Sequence, residues 1–146
     1  MARLVIKVKK LHPEAQLPKF AQQGDAGADL FAIEGGRIGV GGTKIVKTGI
    51  AIGLPEGYEA QVRCRSGLAI KRGVEVLNAP GTVDSCYRGE VGVVIHNTKR
   101  DEDFVYHAGD RIAQLIVKPV PPVVYEEVED LDETGRGAGG FGSTGK

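Results

Sequence analysis

Apolar side chains recur along this chain in short runs, alternating with polar ones or continuous, and Gly or Pro interrupts them about every ten residues. One run shows the pattern well: Tyr58, Ala60, Val62 and Cys64 alternate with Glu59, Gln61, Arg63 and Arg65, the period of a half-buried strand. Reading each run this way predicts strands over 4–8, 29–33, 44–46, 50–54, 58–65, 74–77, 91–96, 104–106, 111–117 and 123–126. Only 66–71 suits a helix, of a turn or two. Many short strands with almost no helix predict an all-β fold, a distorted antiparallel jelly-roll barrel. Pro119, Pro121 and Pro122 mark the exit from the barrel, because Pro cannot supply a ladder N–H in a central strand. An acidic run over 126–133 follows, and half of the residues from Gly135 to Lys146 are Gly, with Phe141 the single large side chain. The expected division is therefore a barrel over 1–134 and a flexible C-terminal arm over 135–146 that orders on a ligand.

Composition narrows the picture. The 146 residues suffice for one domain burying roughly two-thirds of its unfolded surface. Aromatics make up only 5% and Trp is absent, so Val, Ile, Leu and Ala must build the core. Nineteen basic residues balance nineteen acidic ones, which argues against bulk nucleic-acid binding but leaves room for a small basic pocket. Lys7, Lys9 and Lys10 read as the solvated side of a first strand. Cys64 and Cys86 have neither CxxC spacing nor a His at zinc-like distance, and are expected as free thiols. No apolar run approaches transmembrane length and no signal peptide precedes the first strand, so neither a membrane nor export is expected and the cytoplasm is the expected compartment.

Candidate chemistry concentrates in 78–90, between two expected strands. Asn78 can read a flat polar ring, Tyr87 can cover it, and Asp84 can hold a water; the ordinary alternative is a plain Asn-Pro-Gly turn with a solvated carboxylate. Arg65-Ser66-Gly67 falls where a strand gives way to a helix. Free N–H groups, a hydroxyl and a guanidinium there suit phosphate, although Ser66 could simply cap the turn. Asp25 and Asp29 lie near a strand start; Asp29 could hold magnesium through its water shell, since that ion keeps waters and takes few protein oxygens. Gln114 is a candidate phosphate donor, and Asp110 with Arg111 is expected as a structural ion pair. The run 140–146 resembles a Walker A loop but lacks its final Ser or Thr and any following helix, so a P-loop is rejected. Its Gly-rich backbone can still nest around phosphate oxygens, with Arg136, Ser143 and Thr144 as contacts. His12, His96 and His107 are isolated and receive no catalytic role.

Together these segments resemble the trimeric dUTPase family. Ala26-Gly27-Ala28-Asp29-Leu30, Arg65-Ser66-Gly67-Leu68-Ala69, Asn78-Ala79-Pro80-Gly81-Thr82-Val83-Asp84 through Tyr87-Arg88-Gly89-Glu90, Gly109-Asp110-Arg111-Ile112-Ala113-Gln114-Leu115 and the 135–145 arm stand in the family's motif order over nearly the whole chain. The resemblance implies hydrolysis of dUTP to dUMP and pyrophosphate with Mg2+, keeping uracil out of DNA and supplying dUMP for dTMP synthesis. It also implies a homotrimer whose active sites are shared between subunits, each arm closing over a neighbour's site. Carried over position by position, it makes Asp84 the water-activating residue and Asn78, beside Gly81, the uracil reader. Tyr87 packs on the deoxyribose and Phe141 on the base; Arg65, Ser66, Gly67, Gln114, Arg136, Ser143 and Thr144 contact phosphates, and Asp29 holds magnesium through water. Cys64 departs from the family in standing where Pro is common. Two other readings remain at this point: a dCTP deaminase on a related fold, which ammonia release would reveal, and a non-enzymatic nucleotide-binding sensor.

Overall fold

Eleven elements follow one another in this computed structural model, which describes residues 3–145: β1 (Lys7–Lys10), β2 (Ala28–Phe31), β3 (Gly36–Ile38), β4 (Thr43–Gly53), β5 (Tyr58–Arg63), α1 (Ser66–Arg72), β6 (Val74–Val76), β7 (Gly81–Val83), β8 (Glu90–Asn97), β9 (Phe104–Tyr106) and β10 (Arg111–Pro119). Met1 and Ala2, within the expected barrel span, and Lys146, the last residue of the expected arm, lie outside the described residues.

The strands form two four-stranded sheets, β1-β4-β8-β6 and β2-β10-β5-β7, and a two-stranded one, β3-β9. Every pairing is antiparallel. Alternation decides which side chains enter the core. Val91, Val93 and Ile95 of β8 are buried while the residues between them are not, and Ala60 and Val62 of β5 behave alike. They meet Leu30, Val46, Ile52, Ile112 and Leu115 in one apolar cluster, closed at one end by Phe104 and Tyr106. The jelly-roll expectation is met, and no helix among the described residues is long and apolar enough to cross a membrane.

Several boundaries differ from the sequence reading. The runs 44–46 and 50–54 belong to one strand, β4, because a bulge between Lys47 and Ala51 absorbs the polar interruption. Gly49 sits in that bulge at φ 71°, and buried Thr48 donates its hydroxyl to Val91 O at 2.5 Å. β3 and β7 have three residues each, too few to show a period, and the sequence reading missed both. β1 pairs over Lys7–Lys10 instead of 4–8. Residues 123–126 form no strand: Val124 and Tyr125 stand exposed, since an apolar run without an adjacent edge yields no ladder.

Candidate active site

The segment 77–89 owes its shape to two sheets. β6 pairs with β8 in the first sheet, yet the chain then crosses to the second, where β7 pairs with β5, before returning to β8. Asn78 lies on the outward crossing and Asp84 directly after β7; both are exposed. The Asn78 amide packs against Gly81, where an added Cβ would come within 3.1 Å of Nδ2. Tyr87 donates its N–H to Asp84 O at 3.1 Å, closing a turn beneath the carboxylate. Its hydroxyl donates to Glu90 O at 2.9 Å, and the ring lies so close over Gly89 that any Cβ there would strike it. Asp84, Tyr87, Thr82 and Glu90 share the rim of a hollow of about 160 Å³.

A second cluster gathers on β2, β10 and the end of β5. Arg65 occupies the N-cap position of α1 without a side-chain cap, so Ser66 is the first helical residue and does not cap the turn. Arg65 Nε donates to Asp29 Oδ1 at 3.1 Å, and its Nη1 to Arg111 O at 3.2 Å. Arg111 Nη1 reaches Asp29 Oδ2 at 3.5 Å. Asp29 is only 5% exposed, so its carboxylate is largely withdrawn from water and compensated by both guanidinium groups. Gln114 stands opposite Asp29 on one side and Arg63 on the other, with its amide lying over Gly27. Two guanidinium groups against one carboxylate leave this corner net positive, as an anion such as a phosphate requires.

The expected Asp110–Arg111 pair is corrected here. Asp110 belongs to the turn before β10 and accepts His107 N–H at 2.8 Å, while Arg111, the first residue of β10, reaches Asp29. Arg111 was not anticipated as part of the cluster. Asp25 proves a turn former, accepting Gln22 N–H at 2.8 Å. Both cysteines are free thiols. Among the described residues no three His, Cys, Asp or Glu side chains group as metal ligands, and Asp29 is the one carboxylate that Arg65 and Arg111 both contact. Its carboxylate has about four acceptor positions, and the two guanidinium contacts leave capacity for a water of an ion's shell, so the donor set fits outer-shell magnesium.

The two clusters of one chain do not meet. β7 runs antiparallel to β5 with Val83 opposite Ala60, which sets Asp84 beside Glu59. Arg65 lies six residues on from Glu59, two past the end of β5 and still extended, roughly 20 Å at the rise of an extended chain. The larger hollow that Asp84 borders, about 730 Å³, contains Glu56 and Glu59 and no basic side chain. The arm stands apart as well. Phe141 is fully exposed, Arg136 Nε donates to Gly139 O at 2.8 Å, and among the described residues the hydrogen bonds of 136–145 reach no further than Thr134.

A dUTPase family model matches residues 13–145. The deoxyuridine 5'-triphosphate nucleotidohydrolase of Syntrophotalea carbinolica is 54% identical over 99% of both chains. That of Clostridium tetani is 49% identical over the full length of both. Among solved structures, a Staphylococcus bacteriophage 80alpha dUTPase with dUPNHPP superposes with a TM-score of 0.86 at 28% identity, over 97% of this chain and 99% of the other.

Proposed function

This chain belongs to the dUTPase family, and on that premise we propose that it cleaves dUTP to dUMP and pyrophosphate with Asp84 orienting the attacking water at the α-phosphate. The curated relatives carry the nucleotidohydrolase name over the whole length of the chain, and the phage relative was solved with dUPNHPP. In the proposed step the water oxygen bonds to the α-phosphorus, a water proton passes to an Asp84 oxygen, and the α–β bridging bond breaks. Pyrophosphate leaves with that electron pair. A carboxylate is a weak base toward water, so alignment and charge neutralisation must supply most of the acceleration. Asp84 suits the aligning role because the Tyr87 N–H fixes the turn that carries it.

Asn78 and Tyr87 account for selectivity in this reading. Uracil offers an acceptor at O4 and a donor at N3–H, cytosine the reverse, and a held amide beside Gly81 separates them. A site that leaves buried polar groups unpaired with the wrong base rejects it by about 10⁴-fold or more. Tyr87 against the sugar leaves no room for a 2′-hydroxyl.

The observation that carries the assembly is the strand register that parts Asp84 from Arg65. A nucleotide whose α-phosphate lies at Asp84 needs cations that the same chain holds elsewhere. We therefore assign Arg65, Ser66, Gly67 and Gln114 to the triphosphate of a neighbouring subunit's site, within a homotrimer. The arm, through Arg136, Phe141, Ser143 and Thr144, closes over the bound nucleotide. Leu4, Leu17 and Phe20, exposed around an apolar hollow of about 400 Å³, give the barrel a surface suited to such contact. Magnesium bound with the triphosphate would add positive charge at its oxygens, and Asp29 would hold it through water. Removal of dUTP keeps uracil out of DNA and supplies dUMP for dTMP synthesis.

The test is pyrophosphate release from dUTP, dCTP, dTTP and UTP with magnesium. Release from dUTP alone is expected; equal release from all four would end the reading, as would ammonia from dCTP.

A further inference from the structure

Glu90 carries two contacts that no motif reading had assigned. Its backbone carbonyl accepts the Tyr87 hydroxyl at 2.9 Å, and its carboxylate accepts the N–H of Gly49 at 3.0 Å. Gly49 is the positive-φ residue of the β4 bulge, where the ladder with β8 is interrupted between Lys47 and Ala51. The bulge therefore leaves a buried backbone donor that the ladder does not serve, and Glu90 serves it from the adjacent strand. One residue thus holds the ring of Tyr87 and is itself fastened to the buried stretch of β4. Glu90 also lines the hollow that Asp84 and Tyr87 share.

We infer that Glu90 is a positioning residue for sugar discrimination: the Glu90–Gly49 contact fixes the height of the Tyr87 ring, and hence the space left for a 2′-hydroxyl. The inference rests on the reading of Tyr87 as the sugar-facing ring. Bulge and hairpin are coupled because Glu90 opens β8 opposite Ala51, so a shift of its backbone moves its carbonyl and the phenol hydroxyl bonded to it. What matters is an acceptor at the right reach, not the charge. Gln keeps both; Asp keeps the charge but is one methylene short.

The experiment measures kcat/KM for dUTP and for UTP with the wild-type protein, Glu90→Gln and Glu90→Asp, alongside thermal melts. Glu90→Gln should hold the dUTP-over-UTP preference within about twofold of wild type, and Glu90→Asp should reduce it about tenfold, mainly by improved use of UTP. A preference unchanged in a folded Glu90→Asp overturns the inference, and so does an equal loss on both nucleotides, which marks a purely structural contact. Glu90→Met, of similar length without the acceptor, replaces Glu90→Asp if that variant melts below the assay temperature; unfolding of both overturns the inference too. A wild-type protein without preference for dUTP would instead sink the reading of Tyr87, a different and recognisable result.

Discussion

At the scale of single residues, Asp84 and Asp29 are two carboxylates with opposite surroundings. Asp84 is exposed after a three-residue strand, free to meet water and substrate, whereas Asp29 is buried under two arginines. Replacing Asp84 with Asn keeps the shape but removes the proton acceptor. Binding of a non-hydrolysable dUTP analogue, measured by calorimetry, should stay within about threefold, and kcat should fall about 10²–10⁴-fold. Turnover near the wild-type level would discard the role proposed for Asp84. Asp29→Ala leaves Arg65, itself mostly enclosed, without its carboxylate. Denaturant unfolding should show a loss of roughly 2 kcal/mol, less than the roughly 3–5 kcal/mol of a fully buried pair because the arginines keep some water. Asp84, Asn78 and Tyr87 were legible as candidates because they sit within one short run. The Asp29–Arg65–Arg111 cluster was not legible as such, since its partners are 36 and 82 residues apart and only strand order brings them together.

At the scale of elements, apolar runs bounded by Gly and Pro located most of the strands, and the pattern failed where a local rule was overruled by a partner. β4 runs through what reads as a break because Gly49 adopts φ 71°, Thr48 donates its hydroxyl across to Val91 O of β8, and Glu90 of β8 accepts the Gly49 N–H. A Cβ on Gly49 would lie 3.0 Å from Ile33 Cγ1 and 3.1 Å from Ala15 Cβ. Gly49→Ala should therefore cost about 2 kcal/mol in backbone strain and crowding, read as a lower thermal midpoint; an unchanged midpoint would show that the bulge relaxes freely. β7 left no readable period, yet its pairing with β5 is what carries Asp84 to its place. In the opposite case, 123–126 has the apolar run and lacks the partner. Among the described residues the arm's hydrogen bonds stay within it or reach only Thr134, the residue just before it. Deleting 135–146 should accordingly leave the melting temperature nearly unchanged while kcat/KM for dUTP drops about 10²-fold or more, from lost closure over the phosphates.

At the scale of the whole molecule, the central claim is that one chain holds the halves of two different sites. Sequence carried the type and order of the chemical groups, but not their separation, because the direction of β7 against β5 is a property of the fold. The most direct measurement mixes two inactive proteins, Asp84→Asn and Arg65→Ala, unfolds and refolds them together, confirms hybrids by native mass spectrometry, and assays pyrophosphate release from dUTP. Shared sites predict that an intact Asp84 from one chain meets an intact Arg65 from another, restoring about a quarter of wild-type activity by random assembly. Hybrids as inactive as either parent would contradict the account.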